Sequence, residues 1–270
     1  MNSDIAAGSC TRSSSRDPIR FVTRLARAVG CALSLVASDV AADAGAAERR
    51  SAPAPVAQAQ AEPGGSDRKR VQSWYAATVA EDEKRSFLMV HFWSKGPLFR
   101  SDAIIAGRRI VTIVDRTTYY ILDSASGTGV AIERSAAAVA QDEDRGRPFG
   151  NELRKLLIEG GELVDTEESP HGPLDVYRVT DERGRRTLWM STQQPPLPLR
   201  IQTYDRATAT TGRVDYVNWR QGMRIWDEFF APDPRIELER ISYAQYKQRA
   251  GRRPIGPAPV LYRQLLHGSD

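Results

Sequence analysis

Between residues 85 and 134 five short runs rich in Val, Ile, Phe and Tyr follow one another, at residues 85–94, 98–105, 109–115, 118–123 and 130–134. Gly96-Pro97, Ala106-Gly107, Arg116-Thr117 and Ser126-Gly127 stand between them, and runs so closely spaced with turn signals in between predict an antiparallel meander. The first run adds a demand. A strand half-buried in an antiparallel sheet alternates apolar with polar, yet here Phe87, Met89 and Trp93 fall on one face and Leu88, Val90 and Phe92 on the other. Tyr119 and Ile121 oppose Tyr120 and Leu122 in the same way, Leu188 and Met190 oppose Trp189, and Val214 and Tyr216 oppose Val217 and Trp219. Both faces of such a sheet need cover from water.

Two helices are expected beside the strands. Val71, Trp74, Tyr75 and Thr78 recur at helical spacing and predict an opening amphipathic helix that closes at Asp82-Glu83. Residues 148–159, PFGNELRKLLIE, place Leu153, Leu156 and Leu157 on one stripe and stop at Gly160-Gly161, a natural C-terminal cap. The Ala-rich and then acidic residues 135–146 read as an exposed excursion. The meander resumes at residues 162–167, 174–181, 185–191, 199–205 and 213–220, with a closing stretch around 225–230. Asp181-Glu-Arg-Gly184 reads as a hairpin turn. Pro195, Pro196 and Pro198 mark a loop, because proline cannot sit in a central strand. The fold class is α+β: a curved antiparallel sheet forming a half-open β-barrel, with helices covering its concave face.

The ends read differently. Arg20, Arg24 and Arg27 precede an apolar stretch over residues 28–37, and Ala42-Asp43-Ala44 offers a small-residue cleavage site, so residues 1–44 have the layout of a secretory signal peptide. The apolar stretch is far shorter than the roughly 20 residues of a membrane-spanning helix. Residues 45–67, rich in Ala, Pro, Gln and Gly and without aromatics, cannot bury enough surface to offset their ordering entropy and are expected to be a disordered linker. The sheet domain then covers residues 68–246. Residues 247–270 form a Pro- and Arg-rich C-terminal extension, expected to run over the surface until Val260–Leu266 docks back.

Charge and cysteine count exclude several functions. Removing the five Arg and four acidic residues of positions 1–44 leaves 33 basic against 30 acidic residues, a net charge of +3, so nucleic acid is not the natural partner. Both cysteines, Cys10 and Cys31, lie before the proposed cut, so the remainder has no disulfide, thiol nucleophile or thiolate metal site. His91, His171 and His267 have no zinc-site spacing, and the nucleophile-elbow, phosphate-loop and dinucleotide motifs are missing. His91 reads as a packed imidazole with one hydrogen bond. The acidic runs at 142–144 and 165–168, with Arg108-Arg109 and Arg252-Arg253, read as solvated surface. No catalytic residue, metal or cofactor is expected.

Several segments together resemble a known family: Trp74 in the opening element, Lys95-Gly96-Pro97-Leu98-Phe99-Arg100, the Gly107 hairpin, Tyr119-Tyr120-Ile121-Leu122-Asp123, Thr187-Leu188-Trp189-Met190-Ser191, Pro196-Leu197-Pro198-Leu199-Arg200-Ile201 and Thr203-Tyr204-Asp205. Over residues 70–230 the chain resembles the outer-membrane lipoprotein-sorting, or lipoprotein-carrier, superfamily of bacterial periplasmic proteins. The resemblance implies an incomplete barrel whose apolar interior holds acyl chains under a helical lid. In the carrier a basic residue before the turn proline latches the lid; here Gly96 precedes Pro97, and Lys95 is the basic neighbour that the latch role implies.

The expected function is therefore a periplasmic, monomeric, non-enzymatic protein holding an acyl chain or lipoprotein segment. Phe87, Met89, Trp93, Ile110, Tyr119, Leu188 and Met190 are the candidate cavity residues, chosen by alternation. A sheet sandwiched between helices would be apolar on both sides without any ligand. The alternative function is an envelope regulatory or assembly module that binds an inner- or outer-membrane protein through a sheet edge or the C-terminal extension.

Overall fold

Residues 73–82, where the spacing predicts a helix, form a strand, β1 (Ser73–Asp82). The structure, a computed structural model, describes residues 72–268 apart from residues 84, 85, 171 and 253. The expected leader and linker, and His171, lie outside the described residues. Trp74, Ala76, Thr78 and Ala80 are buried at a period of two, and β1 is hydrogen-bonded on both sides, to β2 (Phe87–Lys95) and to β11 (Thr210–Gln221). Trp, Tyr and Thr suit a pleated surface, and pairing on both sides overrides a helical spacing of only four residues.

From β1 the sheet grows in two directions. On one side β2 leads through β3 (Leu98–Ile105), β4 (Arg108–Val114) and β5 (Thr118–Asp123) to β6 (Thr128–Glu133), the antiparallel meander that the turn signals predict. On the other side β7 (Glu162–Glu167), β8 (Leu174–Thr180), β9 (Gly184–Ser191) and β10 (Pro198–Asp205) run inward to β11. The last strand, β12 (Glu237–Ile241), pairs in parallel with β6, so the curved sheet has the order β12-β6-β5-β4-β3-β2-β1-β11-β10-β9-β8-β7 and stays open between edges β12 and β7. The expected closing strand at 225–230 is instead coil ending in the 3₁₀ turn Asp227–Phe230. Pro198 begins β10, a position where the missing N–H removes little.

The helices are short: α1 (Ala136–Ala140), α2 (Glu152–Ile158), α3 (Tyr243–Arg249) and α4 (Arg263–His267). Helix α2 ends as expected. Gly161 N–H donates to the Leu156 carbonyl at 2.8 Å, Gly160 N–H to Leu157 at 3.1 Å, and Gly160 has φ +85°. The expected exposed excursion at 135–146 is exposed over most of its length but is anchored at three points. Ser135 caps α1, Ala138 is buried, and the buried Arg134 guanidinium donates to Asp142 at 2.7 and 2.9 Å and to the Leu265 carbonyl at 2.7 Å. Asp142 therefore neutralises a buried cation and is not solvated surface.

One face of the sheet, here called inner, is covered by the chain itself. Phe92 and Phe99 from the strands meet Phe149, from the loop before α2, and Tyr262, with ring centroids 4.9–6.2 Å apart. Leu156 of α2, Tyr246 of α3, Leu261, and Leu265 and Leu266 of α4 join the same core. Residues 247–252 and 254–257 run mainly over the surface before Ala258–Leu266 turns in, two residues ahead of the expected docking segment Val260–Leu266.

Candidate binding groove

The outer face is built by strand register. Arg220, Tyr75, Trp93, Arg100 and Ile113 pair in succession across β11, β1, β2, β3 and β4, and the next outward row reads Val217, Ala77, His91, Asp102 and Val111. Toward β6 this face is sealed: Val111, Ile113, Tyr120, Leu122 and Ala131 are buried, with Ile236 and Leu238 packed on them. A strap of residues 222–236, between β11 and β12, reaches from that seal back to β1. Ser73 Oγ donates to the Met223 carbonyl, Lys95 Nζ to the Ile225 carbonyl at 3.0 Å and to Asp227, and Arg100 Nη1 to the Phe229 carbonyl at 3.0 Å. The Phe229 ring meets Trp93 edge-on at 5.2 Å and lies 4.4 Å under the Arg100 guanidinium.

Beside the strap the face is open, as a groove of about 650 Å³. Its floor is an aromatic ladder. The rings of Tyr75 and His91 are 6.1 Å apart and those of His91 and Trp93 5.8 Å, with interplanar angles of 17° and 22°, and the Tyr75 hydroxyl is hydrogen-bonded to His91 Nδ1 at 2.9 Å. Met89, Ala103, Ile104 and Met223 add apolar walls, and Asp102, Arg109 and Arg220 supply the charges. Asp102 accepts from Arg100 at 3.0 Å and also from Arg109. Desolvation by burial raises the Tyr75 hydroxyl above its ordinary range, so it remains protonated at neutral pH.

The seven residues selected by alternation divide between the faces. Met89 and Trp93 line the groove, and Phe87, 75% exposed, stands beside them on the same strand face. Ile110, Tyr119, Leu188 and Met190 lie within the inner-face core, each nearly without exposure. Tyr119 accepts a hydrogen bond from Tyr262 N–H at 3.1 Å, and its burial pushes the hydroxyl pKa far up. Lys95 secures the strap, donating to the Ile225 carbonyl and to Asp227 at the start of the 3₁₀ turn. Sequence reasoning missed Tyr75, Asp102, Ile104, Arg109, Arg220 and Met223. Asp102 and Ile104 carried a signal, since they share a face in strict alternation, but reading β1 as a helix hid Tyr75 and left Arg220 without a neighbour.

A second polar feature lies on the inner face. Glu152, the first residue of α2, is half-buried as a residue but has an enclosed carboxyl: Tyr216 donates to Oε1, and Oε2 has no partner among the described residues. Burial pushes its pKa up to about 7, against the Tyr216 hydrogen bond and the positive charge of Arg147. Among the described residues no cluster of three or more His, Cys, Asp and Glu could hold a metal ion.

The chain thus forms an open, curved sheet with one face closed by its own residues and a groove on the other. No protein-family model and no curated protein matches the chain. Solved structures are similar in fold. An uncharacterized conserved protein from Thermus thermophilus matches at 11% identity and TM-score 0.45, over 63% of this chain and 90% of that one. The MucA/MucB complex of Pseudomonas aeruginosa matches at 16% identity and TM-score 0.39, over 64% of this chain and 59% of that one. A putative outer membrane lipoprotein-sorting protein domain from Vibrio parahaemolyticus matches at 12% identity and TM-score 0.29, over 61% of this chain and 91% of that one. These likenesses describe how the strands are laid out and say nothing of what the groove holds.

Proposed function

We propose that this chain is a non-enzymatic binding protein of the bacterial periplasm that holds an acyl chain, or the acylated end of a lipoprotein, in the outer-face groove. The observation that carries this reading is the groove itself: a volume of about 650 Å³ walled by Met89, Trp93, Ile104 and Met223, left open on a face whose neighbouring part the chain seals with Ile236 and Leu238. Met89 and Ile104 remain 46% and 59% exposed there, continuous with Phe87, and apolar surface so placed gains by covering. Burying about eight methylenes at roughly 0.8 kcal/mol each supplies about 6 kcal/mol before ordering costs, so few specific polar contacts are required. The leader-like residues 1–44 support the compartment, and the resemblance of residues 70–230 to lipoprotein carriers supports an acyl ligand.

The test is uptake of a fluorescent fatty acid by the purified full chain. Met89→Asp and Ile104→Asp alter exposed groove positions and should lower affinity by about tenfold or more, a loss of roughly 1.4 kcal/mol, with melting unchanged. No uptake by the wild type, or uptake by both variants equal to that of the wild type, removes the reading.

A protein-partner role has its own observation. Strand β7 is a sheet edge with all six residues exposed, and Leu157, Ile158, Leu163 and Val164 form exposed apolar surface on it and the adjoining α2. Such an edge can accept an added strand. If it does, Ile158→Lys with Leu163→Lys abolishes capture of envelope proteins and leaves fatty-acid uptake intact; capture retained in that variant rules this edge out.

A further inference from the structure

The groove is not electrically uniform. By register Arg220 closes one end beside Tyr75, while Arg109, paired with Ile104, closes the other. Four strand spacings separate β11 from β4, and the Trp93 and Met89 positions are four residues apart along β2, so the diagonal between the two arginine positions is roughly 23 Å. Their situations differ. Arg109 donates to Asp102, which also receives Arg100, so both of these guanidiniums are already engaged with one carboxylate. Arg220 has no hydrogen bond or ion pair among the described residues, and its neighbour Tyr75 has its hydroxyl engaged with His91.

We propose, resting on the binding reading above, that the groove takes an anionic amphiphile in one orientation, with its carboxylate or phosphate at Arg220 and its tail across Trp93 and His91 toward Met89 and Ile104. Arg220, exposed at the rim of the trough and without a partner among the described residues, gains a charge-assisted hydrogen bond when an anion arrives. Along that path the tail meets the rings of Trp93 and His91 and then the side chains of Met89 and Ile104, with Asp102 beside His91 on β3. A head group at Arg109 would compete with the Asp102 carboxylate that this guanidinium already holds. Orientation therefore follows from charge, and affinity from the apolar walls.

Calorimetric titration of the full chain with dodecanoate, dodecyl phosphate and 1-dodecanol, each below micelle-forming concentration, tests this. Both anions should bind the wild type at least about tenfold more tightly than the alcohol, a preference that falls as salt screens the pair. Arg220→Glu should abolish the preference while leaving the alcohol within about twofold of the wild type, and Arg220→Lys should keep part of it. The anion that loses more affinity on Arg220→Glu identifies the head group, carboxylate or phosphate. Equal binding of alcohol and anions by the wild type overturns the orientation, as does an equal loss of all three ligands in Arg220→Glu, and in both cases the binding reading stands. Binding of none of the three by the wild type removes the binding reading and the orientation together.

Discussion

Glu152 places an ionisable group in the aromatic part of the inner core. Tyr216 donates to it, and Arg147, whose guanidinium lies 5.0 Å from the Trp74 ring and 5.2 Å from the Trp219 ring, is the nearby positive charge, with Lys155 further along α2. Below its ordinary value of 4.5 the carboxyl is protonated in the folded and the unfolded chain alike. Between there and about 7 the unfolded chain ionises and the folded one does not, so the stability present at low pH is lost as pH rises through this window. The difference amounts to about 3 kcal/mol. Relative to Glu152→Gln, the wild type should lose roughly that much between pH 4.5 and pH 8 in urea unfolding, and parallel curves for the two proteins would refute the account. Gly184 is a second residue-scale constraint: at φ +150°, a Cβ would stand 1.8 Å from the Tyr204 carbonyl oxygen. Gly184→Ala should cost on the order of 2–4 kcal/mol in thermal unfolding, because the backbone opposite must move. Its place in a hairpin turn was legible, since Asp181-Glu-Arg-Gly names one; the partner that forbids a side chain is 20 residues away and was not.

At the level of elements, the hairpins were readable and the elements held by distant partners were not. The strands β2 to β6 carry their own turn residues, so local chemistry suffices. Strand β1 has no hairpin to β11, its partner across most of the chain; what makes it a strand is two neighbours, and a four-residue spacing cannot report them. Strand β12 was missed for the same reason, as a parallel addition to β6 reached only after the strap. Helix α4 is five residues long and could not persist alone, yet Leu265 and Leu266 are fully buried. Leu265→Ala should therefore cost about 2–5 kcal/mol, and removal of residues 258–270 should prevent cooperative unfolding altogether. Wild-type-like melting of either would show the tail to be dispensable.

For the molecule as a whole, the strap decides which face remains available. Its tie through Lys95 and Asp227 is largely exposed and is worth at most about 1 kcal/mol, so Lys95→Met should leave global stability nearly unchanged while increasing amide exchange within residues 223–230. Unaltered exchange there would mean that Phe229, packed on Trp93, holds the strap without help from the lysine. The alternating apolar residues of the strands by themselves determined an antiparallel sheet that needs cover on both sides, because side-chain direction in a strand follows from position alone. Only the tertiary structure decided which cover each face receives: Tyr262 and its neighbours return to one, and the strap shields part of the other and leaves the rest as a groove. Alternation has two phases and no sign, so it sorts side chains into two sets without telling which set faces the chain's own tail, and the pairing of β11 with β1 that brings Arg220 beside Tyr75 joins residues 145 positions apart.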